Sequence, residues 1–259
     1  MPNIRQFLTP PGPFWQFDRE ERNAVARLLV LLAEPANLRV LTDACGWEVP
    51  DLTAAEVGVE WTYVRDLWRH HAGSGPEVLR DAILRTLAPA AEADLSRSSV
   101  LDFNTHFGAV PAPSATFIQS PSNWSIARFD TNIPDNDEFR RTCVFKWAFN
   151  VKPDLVVQVG EKVLCIEAKW DSGEGQYPGT DREKAIFSRR GLPYVPQTEV
   201  QKYLVNDLLG FEGTFAYLTK VPTSSTTARS ITWRDLLGRM TDAHCPAALQ
   251  AWRQSLLTS

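Results

Sequence analysis

Cysteine is scarce and scattered: four stand among 259 residues, at positions 45, 143, 165 and 245, and none forms a Cys-x-x-Cys pair. That leaves no zinc finger or ribbon, whose ligands come in close pairs, and no disulfide framework. Reduced, buried thiols in a cytoplasmic protein are the expectation. Histidine adds nothing to a metal set, because His70-His71 and His244-Cys245 are adjacent and lack ligand spacing. Long apolar runs are missing too. The most apolar early stretch, residues 24–33, contains Arg27 and is too short for a bilayer, so no membrane partner is expected. The first residues lack the charged-then-apolar plan of a secretory signal, which leaves the Asn123-Trp-Ser125 sequon without an expected use. Positive charge is not in surplus either: net charge is −4 and the pI about 5.6. A protein that coats nucleic acid by bulk electrostatics is thereby excluded, though one that touches it locally is not. There is no Gly-x-x-x-x-Gly-Lys-[Ser/Thr] loop and no Gly-x-Ser-x-Gly elbow, and Gly173-Glu-Gly175 does not complete a dinucleotide fingerprint. Repeats and low-complexity tracts are absent.

What is present allows one large domain, or a core with an extension. Residues 1–17, rich in proline and aromatics, read as extended. Helices are predicted from Asp18 to Glu34, from Thr53 to His71 with a Thr53-x-x-Glu56 capping box, and from Pro76 to Leu87. Residues 109–134, rich in Pro, Ser and Asn, read as a connection, and 141–149 as a strand. The reading divides the chain into a mainly helical region, 1–110, and an α/β core, 111–259. Residues 170–196 read as a long loop placed to act as a lid or substrate-binding element. A helix from Thr198 to a C-cap at Gly210, a strand over 213–220 and tail helices near 232–240 and 246–257 complete the pattern.

The segment Pro153-Asp154 through Glu167-Ala168-Lys169 carries the chemistry. Two β-branched runs, 155–159 and 162–166, flank Gly160-Glu161, which is the form of a hairpin with a two-residue turn. In that register Val159 faces Lys162 and Asp154 faces Glu167. Residues so opposed have Cβ atoms about 4.5–5.5 Å apart. Side chains alternate along a strand, so Lys169 joins Glu167 on one face and Ala168 points away. Facing carboxylates repel. A divalent cation that takes oxygen ligands and keeps several waters relieves the repulsion.

These residues resemble the PD-(D/E)xK nuclease superfamily, over about residues 139–220. The resemblance implies a restriction-endonuclease-like core, a mixed central sheet flanked by helices, with the helical N-terminal region as an extension. It implies that Asp154 and Glu167 bind Mg²⁺, with Mn²⁺ as a substitute, that the Ala168 carbonyl completes the metal shell, and that Lys169 positions the attacking water. A helical Gln or Lys facing the site is frequent in the family. Gln197, Gln201 and Lys202 are the residues available, with Gln201 the candidate catalytic residue, although Thr198-x-x-Gln201 also has the form of a capping box. Relatives often add an acid from an earlier helix. Glu60, Glu77 and Glu138 are candidates, each with an ordinary explanation. Arg189, Arg190 and Lys202 are candidate nucleic-acid contacts, though mixed charge is also what an exposed segment shows. The function implied is metal-dependent hydrolysis of nucleic acid, DNA first, in restriction, defence or repair. A homodimer is one assembly the resemblance admits. The alternative is a non-catalytic binding or assembly module on the same scaffold.

Overall fold

The computed structural model describes residues 20–71, 75–170, 173–222 and 228–258. The extended segment read over residues 1–17 and the helix start at Asp18 lie outside them. In chain order the elements are α1 (Glu21–Leu32), α2 (Pro35–Cys45), β1 (Glu56–Val59), α3 (Tyr63–His71), α4 (Pro76–Leu87), α5 (Glu92–Arg97), α6 (Val100–His106), α7 (Ile126–Phe129) and α8 (Asn136–Ala148). They continue with β2 (Leu155–Val159), β3 (Lys162–Lys169), β4 (Gln176–Tyr177), α9 (Asp181–Arg190), β5 (Val195–Pro196), α10 (Gln197–Lys202), β6 (Glu212–Thr219), β7 (Arg229–Thr232), α11 (Trp233–Arg239) and α12 (Ala247–Thr258). The chain forms two compact units, one drawn from Met1–Trp61, Pro153–Gly173 and Phe211–Ser259, the other from Thr62–Lys152 and Glu174–Gly210. Residues 110 and 111, where the sequence reading placed a boundary, both fall in the second.

The first unit is built on a mixed five-stranded sheet of order β1-β2-β3-β6-β7. β1, β2 and β3 run antiparallel, while β3, β6 and β7 are parallel. The hairpin has the expected register, from Val159 opposite Lys162 to Leu155 opposite Ile166. Gly160 takes φ 57°, which its place in a two-residue turn requires. One face of the sheet, carrying Leu155, Val157, Leu164, Ile166, Ala168, Ala216 and Leu218, packs in a single core with Leu28 and Leu31 of α1, Leu41 of α2, Trp233 and Leu236 of α11 and Trp252 of α12. β3 is buried from Val163 to Ala168, so both of its faces are covered, as parallel pairing favours.

The second unit is helical, with aromatic packing around α8. Phe139 meets Phe129 and Phe187, Trp147 stacks on Tyr177, and Phe107 stacks on Trp124 with ring centroids 4.1 Å apart. α10 runs on into a π-helical turn, Tyr203–Leu208, and the chain leaves it through Gly210 at φ 71°. The predicted helix and its glycine stop are therefore present, with a widened second half.

Three expectations are corrected. Residues 141–149 are not a strand: 141–148 form the body of α8 and Phe149 is its C-cap. Asp135 caps that helix, its side chain accepting from the Glu138 N–H, and Asp137 and Glu138 follow in the first turn. The aromatic, β-branched run that suggested a strand is buried on nearly every side, which a short apolar run cannot reveal. Thr53 and Glu56 form no capping box, because Thr53 donates its N–H and hydroxyl to Asp51 in a turn and Glu56 opens β1. Val57 and Val59 pair with β2, and the helix that follows starts only at Tyr63. The loop read over 170–196 contains α9, capped by Thr180 at its start and by Gly191, φ 65°, at its end, together with the short β4–β5 pair.

Candidate functional site

The site lies where β2 begins and β3 ends, in the first unit. Asp154 stands one residue before the β2 ladder, in line with Glu167. Its Oδ2 accepts from the Ala168 N–H at 2.8 Å. In a strand a residue's N–H and C=O point to the same edge, so the Ala168 carbonyl shares the edge that Asp154 occupies. The Asp154 backbone is fixed from the other side, where its carbonyl accepts from the Glu60 N–H and the Pro153 carbonyl from the Trp61 N–H, both at 3.1 Å. Glu60 adopts φ 50° to make that contact, a left-handed conformation that costs a non-glycine residue roughly 1 kcal/mol or more.

Glu167 is buried, at 3% exposure, and Lys169 Nζ reaches its Oε1 at 2.6 Å. Both side chains of this pair are withdrawn from water. Burial and the neighbouring Glu167 carboxylate push Asp154 up to about 7, against the lowering effects of the Ala168 N–H and Lys169. Burial alone would lower Lys169, but Glu167, the hydrogen bond to it, Asp154 and Glu21 together raise it above its ordinary value. Negative charge thus accumulates at the hairpin end, with Lys169 held in it.

Glu21 is the residue that sequence reasoning missed. It opens α1, its Oε1 accepts from the Trp170 N–H at 2.8 Å, and its charge acts on both Asp154 and Lys169. The signal was there: α1 buries Ala24, Val25, Leu28, Leu31 and Leu32, and Glu21 extends that stripe by one turn at helical spacing. A carboxylate on an apolar stripe has few structural uses.

The other candidates are placed as follows. Glu60 lies beside Asp154 through its backbone, but its side chain pairs with Arg22 at 3.0 Å. Glu77 and Glu138 belong to the second unit, Glu77 exposed in the first turn of α4, Glu138 buried and accepting from the Ala90 N–H. Gln201 is buried in α10 of the same unit, with Lys202 half-buried beside it. The Thr198-x-x-Gln201 capping box does not form. Pro196 is the N-cap, and Thr198, inside the first turn, donates its N–H and hydroxyl to Glu174, a carboxylate that caps α10 from outside. Arg190 is engaged within the fold. It bonds Asp130 and the Ile133 and Pro134 carbonyls and lies 3.9 Å over the Phe139 ring. Arg189 also reaches Asp130, but its side chain stays largely exposed. The expected pair of phosphate contacts is therefore at least half structural.

Among the described residues no group of three or more His, Cys, Asp and Glu side chains is gathered as a ready metal cage. The donors at the hairpin end are nevertheless hard oxygens: two carboxylates, a carbonyl on the same edge, and Glu21 near by. That set suits a cation that keeps much of its own water. No family model, curated protein or solved structure matches this chain.

Proposed function

We propose that this chain hydrolyses phosphodiester bonds in nucleic acid, with DNA as the first substrate to test, using Mg²⁺ or Mn²⁺ on a restriction-endonuclease-like core. One observation carries the reading: half-buried Asp154 and buried Glu167 meet at the end of one hairpin, with Lys169 Nζ 2.6 Å from Glu167 and the Asp154 carboxyl pushed up to about 7. Carboxylates whose titration is shifted by burial and by one another gather at functional sites. Asp154, Glu167 and the Ala168 carbonyl are the groups that would hold the cation, and Glu21 is the further carboxylate of the cluster. When bound, such a cation lowers the pKa of a water and offsets charge on a phosphoryl oxygen. Lys169 has three N–H donors. One bonds Glu167, and the remaining two would orient a water or stabilise charge on the phosphate. Gln201 enters this reading by the family resemblance alone, and restriction, defence and repair are equally served by it.

The test is incubation with supercoiled plasmid, linear duplex, single-stranded DNA and RNA, in Mg²⁺, Mn²⁺ or EDTA, beside Glu167→Gln and Lys169→Ala. Metal-dependent cutting that falls at least a hundred-fold in both variants is the expected result. Wild-type protein that binds nucleic acid but cuts none of these substrates would favour the non-catalytic module.

A further inference from the structure

In the second unit a surface loop, residues 110–119, is held by an unusual number of buried polar contacts. Asn104 of α6 is fully buried, and both its amide hydrogens and its carbonyl are used: Nδ2 donates to the Ser114 and Phe117 carbonyls at 2.8 and 2.9 Å, and Oδ1 accepts from the Gln119 N–H at 3.0 Å. Gln119, 5% exposed, does the same, accepting from the Ser114 N–H and donating to the Val110 and Ala112 carbonyls. Ser114 Oγ takes the Thr116 and Phe117 N–H groups, and Arg128 braces the Ala109 and Pro111 carbonyls. Buried amides satisfied in this way fix a backbone. What the frame presents is Phe117, 51% exposed, beside exposed Ala115 and Thr116 and next to fully packed Ile118.

The electrostatic setting of this loop differs from the rest of the chain. From Phe103 to Phe129 there is no Asp or Glu, the longest such stretch in a protein with 31 of them. Among the described residues Arg128 bonds carbonyls and pairs with no carboxylate, so its charge is not neutralised locally. A rigid, acid-free loop with serine and threonine hydroxyls, one uncompensated arginine and an aromatic tip fits a polyanion that carries stackable rings. Hydroxyls and arginine suit phosphates, and an exposed phenylalanine suits base faces or a gap between base steps.

We infer that the Phe117 loop is a nucleic-acid contact, in which Phe117 stacks on an unpaired base or wedges into an opened base step while Arg128 and Thr116 face the backbone. The inference rests on the reading of this protein as a nuclease, but it uses none of the residues at the hairpin end. Binding is measured in EDTA, where cutting is not required, by fluorescence anisotropy of labelled single-stranded and duplex oligonucleotides. Parallel duplexes carry 2-aminopurine, which brightens when unstacked. Wild type is set beside Phe117→Ala and Phe117→Tyr, with thermal melting to confirm that each variant is folded. The expected result is that Phe117→Ala weakens binding about ten-fold or more and removes the 2-aminopurine signal. Phe117→Tyr should retain both. Equal binding and equal signal by Phe117→Ala would overturn the inference while leaving the nuclease reading standing. Wild-type protein that binds no nucleic acid, yet is folded, would overturn the inference and count against the nuclease reading as well.

Discussion

Asp154 gives the hairpin end a measurable pH response. Its carboxyl has an ordinary value of 3.8 and is pushed up to about 7 by burial and by Glu167. A carboxyl raised on folding binds its proton more firmly in the folded state, so its contribution to stability is present below about pH 4 and is lost as pH climbs to about 7. In EDTA, wild type should therefore lose up to about 4 kcal/mol across that window from this group. Asp154→Asn, which cannot ionise, should flatten the curve between about pH 4 and 7, as read by urea denaturation. Parallel curves for the two proteins would show that Asp154 is not held protonated by its surroundings. Glu21 belongs to the same charge cluster, and Glu21→Gln should lower the apparent pKa of Asp154 while leaving the fold intact. A titration of the Asp154 carboxyl by NMR checks this, and an unmoved value would remove Glu21 from the site.

The elements show how far local sequence carried the fold. The β2–β3 hairpin was legible because two β-branched runs and a Gly-first turn pointed the same way, and its register followed from the turn. α8 was misread because its apolar residues are too dense to show a helical period, so that only Asp135 marked its start. Removing that cap by Asp135→Ala should cost about 1 kcal/mol. No loss at all would mean that packing alone holds the helix. Two glycine-like positions are filled by other residues: Ala88 ends α4 at φ 42° and Glu60 follows β1 at φ 50°. Ala88 is exposed, so Ala88→Gly should relieve its strain and raise stability by about 1 kcal/mol, visible as a higher urea midpoint. α9 was legible in hindsight, since Thr180 and Gly191 both carry cap signals; proline and glycine nearby outweighed them. Glu21 was passed over because it stands in the first turn of a helix, where an acidic residue is ordinary.

For the whole molecule, strand pairing explains why residues far apart in sequence form one site. β1, from the N-terminal part, adds to the edge of β2 and fixes the backbone before Asp154, while α1 crosses the same sheet and delivers Glu21. No local pattern announces such pairings, since they depend on which faces are left to bury. A cation held at this point should join the α1 and hairpin segments and stabilise the folded chain by about 2.7 kcal/mol at a hundred-fold excess over its dissociation constant. The most direct test of the central claim is Mn²⁺ calorimetry of wild type beside Asp154→Asn and Glu167→Gln, with folding of each verified by circular dichroism. Binding at a defined stoichiometry in wild type, lost or weakened at least ten-fold in both variants, is the result predicted. Wild-type protein that takes up no Mn²⁺, or variants that bind it as well as wild type, would contradict the assignment of this hairpin end as a metal-dependent catalytic site.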